Sequence, residues 1–81
     1  MTLKELNTGQ FFAVVGKEKY PKLKLLEGYF DLSFTVRNLI PNPEWEVIQY
    51  TEDESRKILI EKEVPMEEVE SAINQAKKYN E

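Results

Sequence analysis

The sequence contains neither cysteine nor histidine among its 81 residues. Without thiols there is no disulfide framework and no thiolate zinc site to staple so small a domain, so packing alone must hold it. Without imidazole, the usual general base near neutral pH and the commonest metal ligand are both missing, which removes most familiar hydrolase and metalloenzyme constellations. Glycine is scarce as well. Gly9, Gly16 and Gly28 are spaced as single turn formers and make no phosphate-cradling loop. No serine stands beside a credible base in the sequence. No apolar run approaches the roughly 18 residues that would span a bilayer, and Met1-Thr2-Leu3-Lys4 lacks the apolar core of a signal peptide, so the expected location is the cytoplasm. These absences predict a chain that is not an enzyme and uses no cofactor or metal.

What is present is ordinary for a globular domain: 41% hydrophobic and 32% charged residues argue against disorder. A chain of this length makes a single domain, residues 1–81, that buries only about 60% of its unfolded surface, so its core is small and a deep substrate cavity is not expected. The net charge of −4 is unevenly spread. Residues 1–40 hold six basic side chains against four acidic, and residues 41–81 hold five against eleven. That asymmetry speaks to partners rather than to fold.

Along the chain, Thr2-Leu3-Lys4-Glu5 has the form of a capping box and predicts one opening helical turn before Gly9, with a strand as the competing reading. Residues 10–15 are predicted as a strand. Tyr20-Pro21 forces an extended dipeptide, after which residues 22–25 and 29–32 bracket Glu27-Gly28 as a short hairpin. Phe34 and Val36 alternate with Thr35 and Arg37 and continue the sheet, until two prolines break regular structure over residues 38–43. Residues 44–64 read as a long antiparallel hairpin, with Trp45, Val47, Ile58 and Ile60 on one face, glutamates on the other, and residues 51–55 as its polar connector. Met66, Val69, Ala72, Ile73 and Ala76 then recur at helical spacing behind Pro65, with glutamates first and Lys77 and Lys78 last, which predicts a C-terminal amphipathic helix over about residues 65–79.

The opening Leu3-x-x-Leu6-x-x-Gly9-x-x-Phe12 resembles the entry to many small SH3-like barrel modules, where a glycine turn feeds the first long strand. The resemblance covers about ten residues and implies a fold, not an activity. Together with the element pattern it predicts an α+β architecture. A β-rich part over residues 1–64, a small bent antiparallel sheet or an open SH3-like barrel, is followed by one C-terminal amphipathic helix.

Four constellations are candidates for function. In the expected hairpin, Glu46 faces Glu61 and Glu44 faces Glu63, or, two residues out of register, Glu44 faces Glu61. Opposed like charges cost a few tenths of a kcal/mol or more, so such a patch suggests a basic partner as an alternative to a plain solvated face. Residues 51–55 offer hard oxygen ligands but lack the alternation and the central glycine of a calcium loop. Lys17, Lys19, Tyr20, Lys22 and Lys24 form a basic stretch with an interleaved aromatic. A small barrel could use it to track single-stranded nucleic acid, or it could simply guard an edge strand. Leu39 and Ile40, with Trp45 beyond the prolines, form either a preorganised apolar contact or part of the core.

The expected function is a noncatalytic protein-interaction domain, a small acidic adaptor or inhibitor. It would meet a protein partner with a basic surface, possibly as a nucleic-acid mimic, through Glu44, Glu46, Glu61, Glu63, Leu39, Ile40 and Trp45. The alternatives are a single-stranded nucleic-acid-binding module using Lys17, Lys19, Tyr20, Lys22 and Lys24, and a self-associating structural subunit.

Overall fold

In the computed structural model, which describes all 81 residues, the apolar run behind Gly9 forms strand β1 (Phe11–Val14). Pro21 leads into β2 (Lys22–Lys24), Gly28 turns the chain into β3 (Tyr29–Asp31), and a second turn leads to β4 (Val36–Asn38). After the proline loop comes β5 (Val47–Tyr50). The strands form one sheet in the order β4-β3-β2-β1-β5, with every neighbouring pair antiparallel. Helices α1 (Glu52–Glu61) and α2 (Met66–Lys78) follow, so the class is α+β. No helix is long and apolar enough to cross a membrane.

Register fixes what each face of the sheet carries. Phe11, Leu23 and Phe30 lie side by side on one face and pack against Leu59 of α1 and Val69, Ile73 and Ala76 of α2. Full burial of each of the large side chains is worth about 1.5–3 kcal/mol, and this cluster is the main core. Phe12, Tyr29 and Val47 point the other way. There they are covered by Leu3 and Leu6 of the opening 3-10 turn (Leu3–Glu5) and by the half-buried Val14 and Trp45.

Gly28 is required where it stands. Its φ is +79°, and a Cβ there would lie 1.9 Å from the Asn38 carbonyl oxygen, so no side chain fits between β3 and β4. The opening turn follows the expectation: the Glu5 carboxylate accepts from the Thr2 amide at 2.9 Å and from its hydroxyl at 2.8 Å. These bonds hold the Glu5 carboxyl below its ordinary range. The same segment covers one sheet edge, because Thr2 bridges Glu46 and the Leu3 amide donates to the Trp45 carbonyl at 2.9 Å.

The long hairpin over residues 44–64 does not form. Only its first arm is a strand; the second is α1, giving two helices instead of one and ending the β-rich part at Tyr50 rather than at residue 64. The reason is local. Thr51 is a helix N-cap whose side chain accepts from the Glu54 amide at 3.1 Å, while the Glu54 carboxylate accepts from the Thr51 amide at 2.8 Å, a complete capping box. Glu52, Asp53 and Glu54 then lie at the positive end of the helix dipole. Ser55 and Leu59 are buried while Lys57 between them is exposed, the pattern of a helix; a strand would put all three on one face.

The end of α1 is equally specific. The Val64 amide reaches back to the Leu59 carbonyl at 3.1 Å and the Glu63 amide to Ile60 at 2.9 Å, a Schellman motif with Glu63 in the left-handed region at φ 64°. Val64 packs against the main core, which includes Leu59. Across the helix pair, Arg56 binds Glu70 at 2.6 Å and Glu52 at 2.7 Å, and Lys77 reaches Glu52 at 2.6 Å. These partners hold the Glu52 and Glu70 carboxyls below their ordinary range and push the Arg56 guanidinium up.

Two further expectations change. The sheet ends at β4 and β5 and does not close, so it is an open sheet rather than a barrel. The lysine strand β2 is its middle strand, not an edge.

Candidate binding face

The sheet face opposite the helices is closed at one end by the opening turn and open at the other. Alternation along β2, β3 and β4 brings Lys22, Asp31 and Val36 into one row and Lys24, Tyr29 and Asn38 into the next. At the open end a groove of about 540 Å³ is walled by Tyr20, Phe34, Trp45 and Val14, with Lys17, Lys22 and Asp31 among its lining residues. A second groove of about 520 Å³ shares Tyr29, Asp31 and Phe34 with the first and continues along Val36, Leu39 and Ile40.

The two lysines of β2 do share a face, and neither ammonium is free. Lys24 donates to the Leu3 carbonyl at 2.8 Å and also to that of Leu6, tying the opening turn to the sheet. Lys22 is only 5% exposed, donates to the Tyr20 carbonyl at 2.9 Å and pairs with Asp31 Oδ2 at 3.3 Å. Its ammonium also lies within 6.0 Å of the Tyr20 ring and 5.8 Å of the Tyr29 ring. Asp31 in turn holds the β3–β4 turn, its Oδ1 accepting from the amides of Ser33 at 2.9 Å and Phe34 at 3.3 Å. That turn, with Thr35 at φ 52°, lifts Phe34 to the surface.

The aromatic wall is ordered by stacking. Tyr20 lies parallel to Phe34 at 5.9 Å and carries the Lys62 ammonium 4.0 Å from its centroid, while Tyr29 meets Trp45 at 5.9 Å and Phe12 edge-on. Burial pushes the Tyr29 hydroxyl pKa up, and the hydrogen bond it accepts from the Asn38 amide works against that shift. Burial also pushes the Lys62 ammonium down.

Lys62 donates to Ser33 Oγ at 3.0 Å, the spacing of a serine paired with a lysine base. The arrangement lacks its next component: the Ser33 and Phe34 amides, where an oxyanion would be held, both donate to Asp31, and Lys62 also donates to the Lys19 carbonyl at 2.9 Å. The face has flat aromatic walls, a desolvated cation and an apolar strip.

The other expected site residues are dispersed. Glu44 pairs with Lys4 at 2.8 Å and Glu46 with the Met1 ammonium at 3.4 Å, beside β5, while Glu61 and Glu63 lie exposed at the far end of α1, so the carboxylates do not oppose one another. Residues 51–55 form the N-cap and first turn of α1. Lys17 and Lys19 are exposed. Leu39 and Ile40 do not tuck under the sheet, whereas Trp45 is half-buried against the smaller core.

Phe34, Val36 and Asp31 are the residues that sequence reasoning missed. An aspartate two and three residues ahead of Ser33 and Phe34 is an Asx-turn signal, and it could have placed Phe34 on a turn rather than in a strand. The chain matches no protein-family model, no curated protein and no solved structure.

Proposed function

We propose that this chain is a noncatalytic protein-interaction domain, a small adaptor or inhibitor, that meets its partner through the open face of its sheet. One observation carries the reading. Phe34, Val36, Leu39 and Ile40 are 63%, 55%, 52% and 90% exposed and lie together along one groove. Singly exposed apolar residues need no explanation, but a contiguous strip continuous with an aromatic groove is the surface signature of a contact site. An 81-residue domain with a small core has more reason than most to bury such side chains inside.

The electrostatic version of the reading, a basic partner on the four glutamates, drew its force from their opposition across a hairpin that α1 replaces. The surplus acid remains, but on the helical side: residues 1–50 carry six basic and six acidic side chains, residues 51–81 five and nine. Capture of partners from native lysate, after nuclease treatment, separates the two versions. Leu39→Ser with Ile40→Ser should abolish retention of a stoichiometric partner, and replacing Glu44, Glu46, Glu61 and Glu63 by glutamine should leave it intact. The opposite pattern would move the interface to the glutamates.

A further inference from the structure

We infer that the groove between Tyr20 and Trp45 reads a carboxylate, and that the partner's contact segment is an extended peptide whose acidic side chain meets Lys22 while a following apolar side chain lies on Leu39 and Ile40. The inference rests on the interaction reading above and names the chemistry of the partner. Lys22 is nine-tenths buried, and its ammonium has three N–H donors. One is given to the Tyr20 carbonyl, Asp31 Oδ2 pairs with the ammonium at 3.3 Å, and no other protein acceptor hydrogen-bonds it. Asp31 also serves the turn through Oδ1, so it cannot swing away to satisfy the lysine further.

The local charge fits an anion although the chain is acidic. The groove is lined by Lys17 and Lys22 against the single carboxylate of Asp31. Aromatic walls keep water from the ammonium, so a charge-assisted bond made there is stronger than one at the open surface. An extended peptide fits better than a nucleic acid, because the continuing groove is apolar. Its one cation, Arg37, stacks on the Tyr79 ring at 4.6 Å, and Lys24 is held by the opening turn. No row of cations follows a phosphate backbone.

The test titrates the isotope-labelled full chain with blocked pentapeptides of sequence GFEIG, GFQIG and GFKIG and with a hexathymidylate, reading amide shifts and the emission of Trp45, the chain's one tryptophan. The glutamate peptide should shift the amides of Lys22, Phe34 and Ile40 and bind at least tenfold more tightly than the glutamine peptide. Lys22→Met combined with Asp31→Asn, which removes the donor while keeping the buried charge balanced and the turn's acceptor, should erase that preference. Should the double variant fail to fold, the comparison of the three peptides on the unaltered chain decides by itself. Equal binding of the glutamate and glutamine peptides at Leu39 and Ile40 would overturn the carboxylate assignment and leave the interaction reading standing. Tighter binding of the hexathymidylate would overturn the choice of a peptide. No shift along the strip with any peptide at millimolar concentration would overturn both readings.

Discussion

The helix-covered face and the open face of the sheet are made of alternate residues of the same strands, yet they hold together by different means. On the first, Phe11, Leu23 and Phe30 meet two helices and no charge intervenes. On the second, Phe12, Tyr29 and Val47 are covered by the opening turn at one end, and the row from Phe12 continues through Lys22, Asp31 and Val36, a buried ion pair beside an exposed valine. Apolar burial is non-directional and tolerates small shifts, whereas a desolvated ion pair contributes only while each partner stays in place. The comparison separates a face finished by its own chain from one that leaves Phe34, Val36, Leu39 and Ile40 exposed.

The contrast can be broken at five points, in decreasing order of effect. Phe30→Ala, on the covered face, should cost about 3–5 kcal/mol in denaturant unfolding, because the cavity lies where two helices and three strands converge. Lys22→Met alone should cost about 2–3 kcal/mol, less than a fully buried pair since Asp31 keeps some exposure, and adding Asp31→Asn should recover most of it. Recovery would show that the penalty lies in the unpaired charge rather than in lost packing.

Glu63→Gly should raise stability by about 1 kcal/mol, relieving a left-handed residue and removing a negative charge from the helix C-terminus. Acid should weaken the helical layer. The Glu52 and Glu70 carboxyls are depressed below their ordinary value of 4.5, so the stability they contribute is present above that pH and is lost as pH falls through their lowered values. Arg56→Met should flatten that acid limb in a pH series of melting curves. Ile40→Ser should change stability by less than about 0.5 kcal/mol, because the side chain touches little of its own fold, and this separates a binding defect from an unfolding one.

Much of the architecture was legible. The apolar run of β1, the Gly28 hairpin, the proline loop and the stripe of α2 each carry a period or a breaker that acts within a few residues. The misread element is instructive because its signal was local too. Thr51-Glu52-Asp53-Glu54 is as good a capping box as Thr2-Leu3-Lys4-Glu5, but Ile58 and Ile60, two apart, imitate a strand. The box won because it satisfies helix-terminal donors, while a second arm at residues 56–63 would have exposed Leu59 to serve those two isoleucines. The candidate site was less legible, since it joins Tyr20, Lys22, Phe34 and Trp45 across three connections that no spacing in the sequence encodes.

By itself the sequence determined the local matters: which segments extend, which coil, where Gly28 must sit, and that neither thiol nor imidazole chemistry is available. Only the tertiary structure decided that β2 lies in the middle of the sheet, that Lys22 is buried against Asp31 while Lys24 ties down the opening turn, and that Leu39 and Ile40 are left outside. The physical reason is range. Periodicity, caps and breakers act through neighbours a few residues apart, whereas burial and charge pairing depend on which strands the chain closure brings side by side.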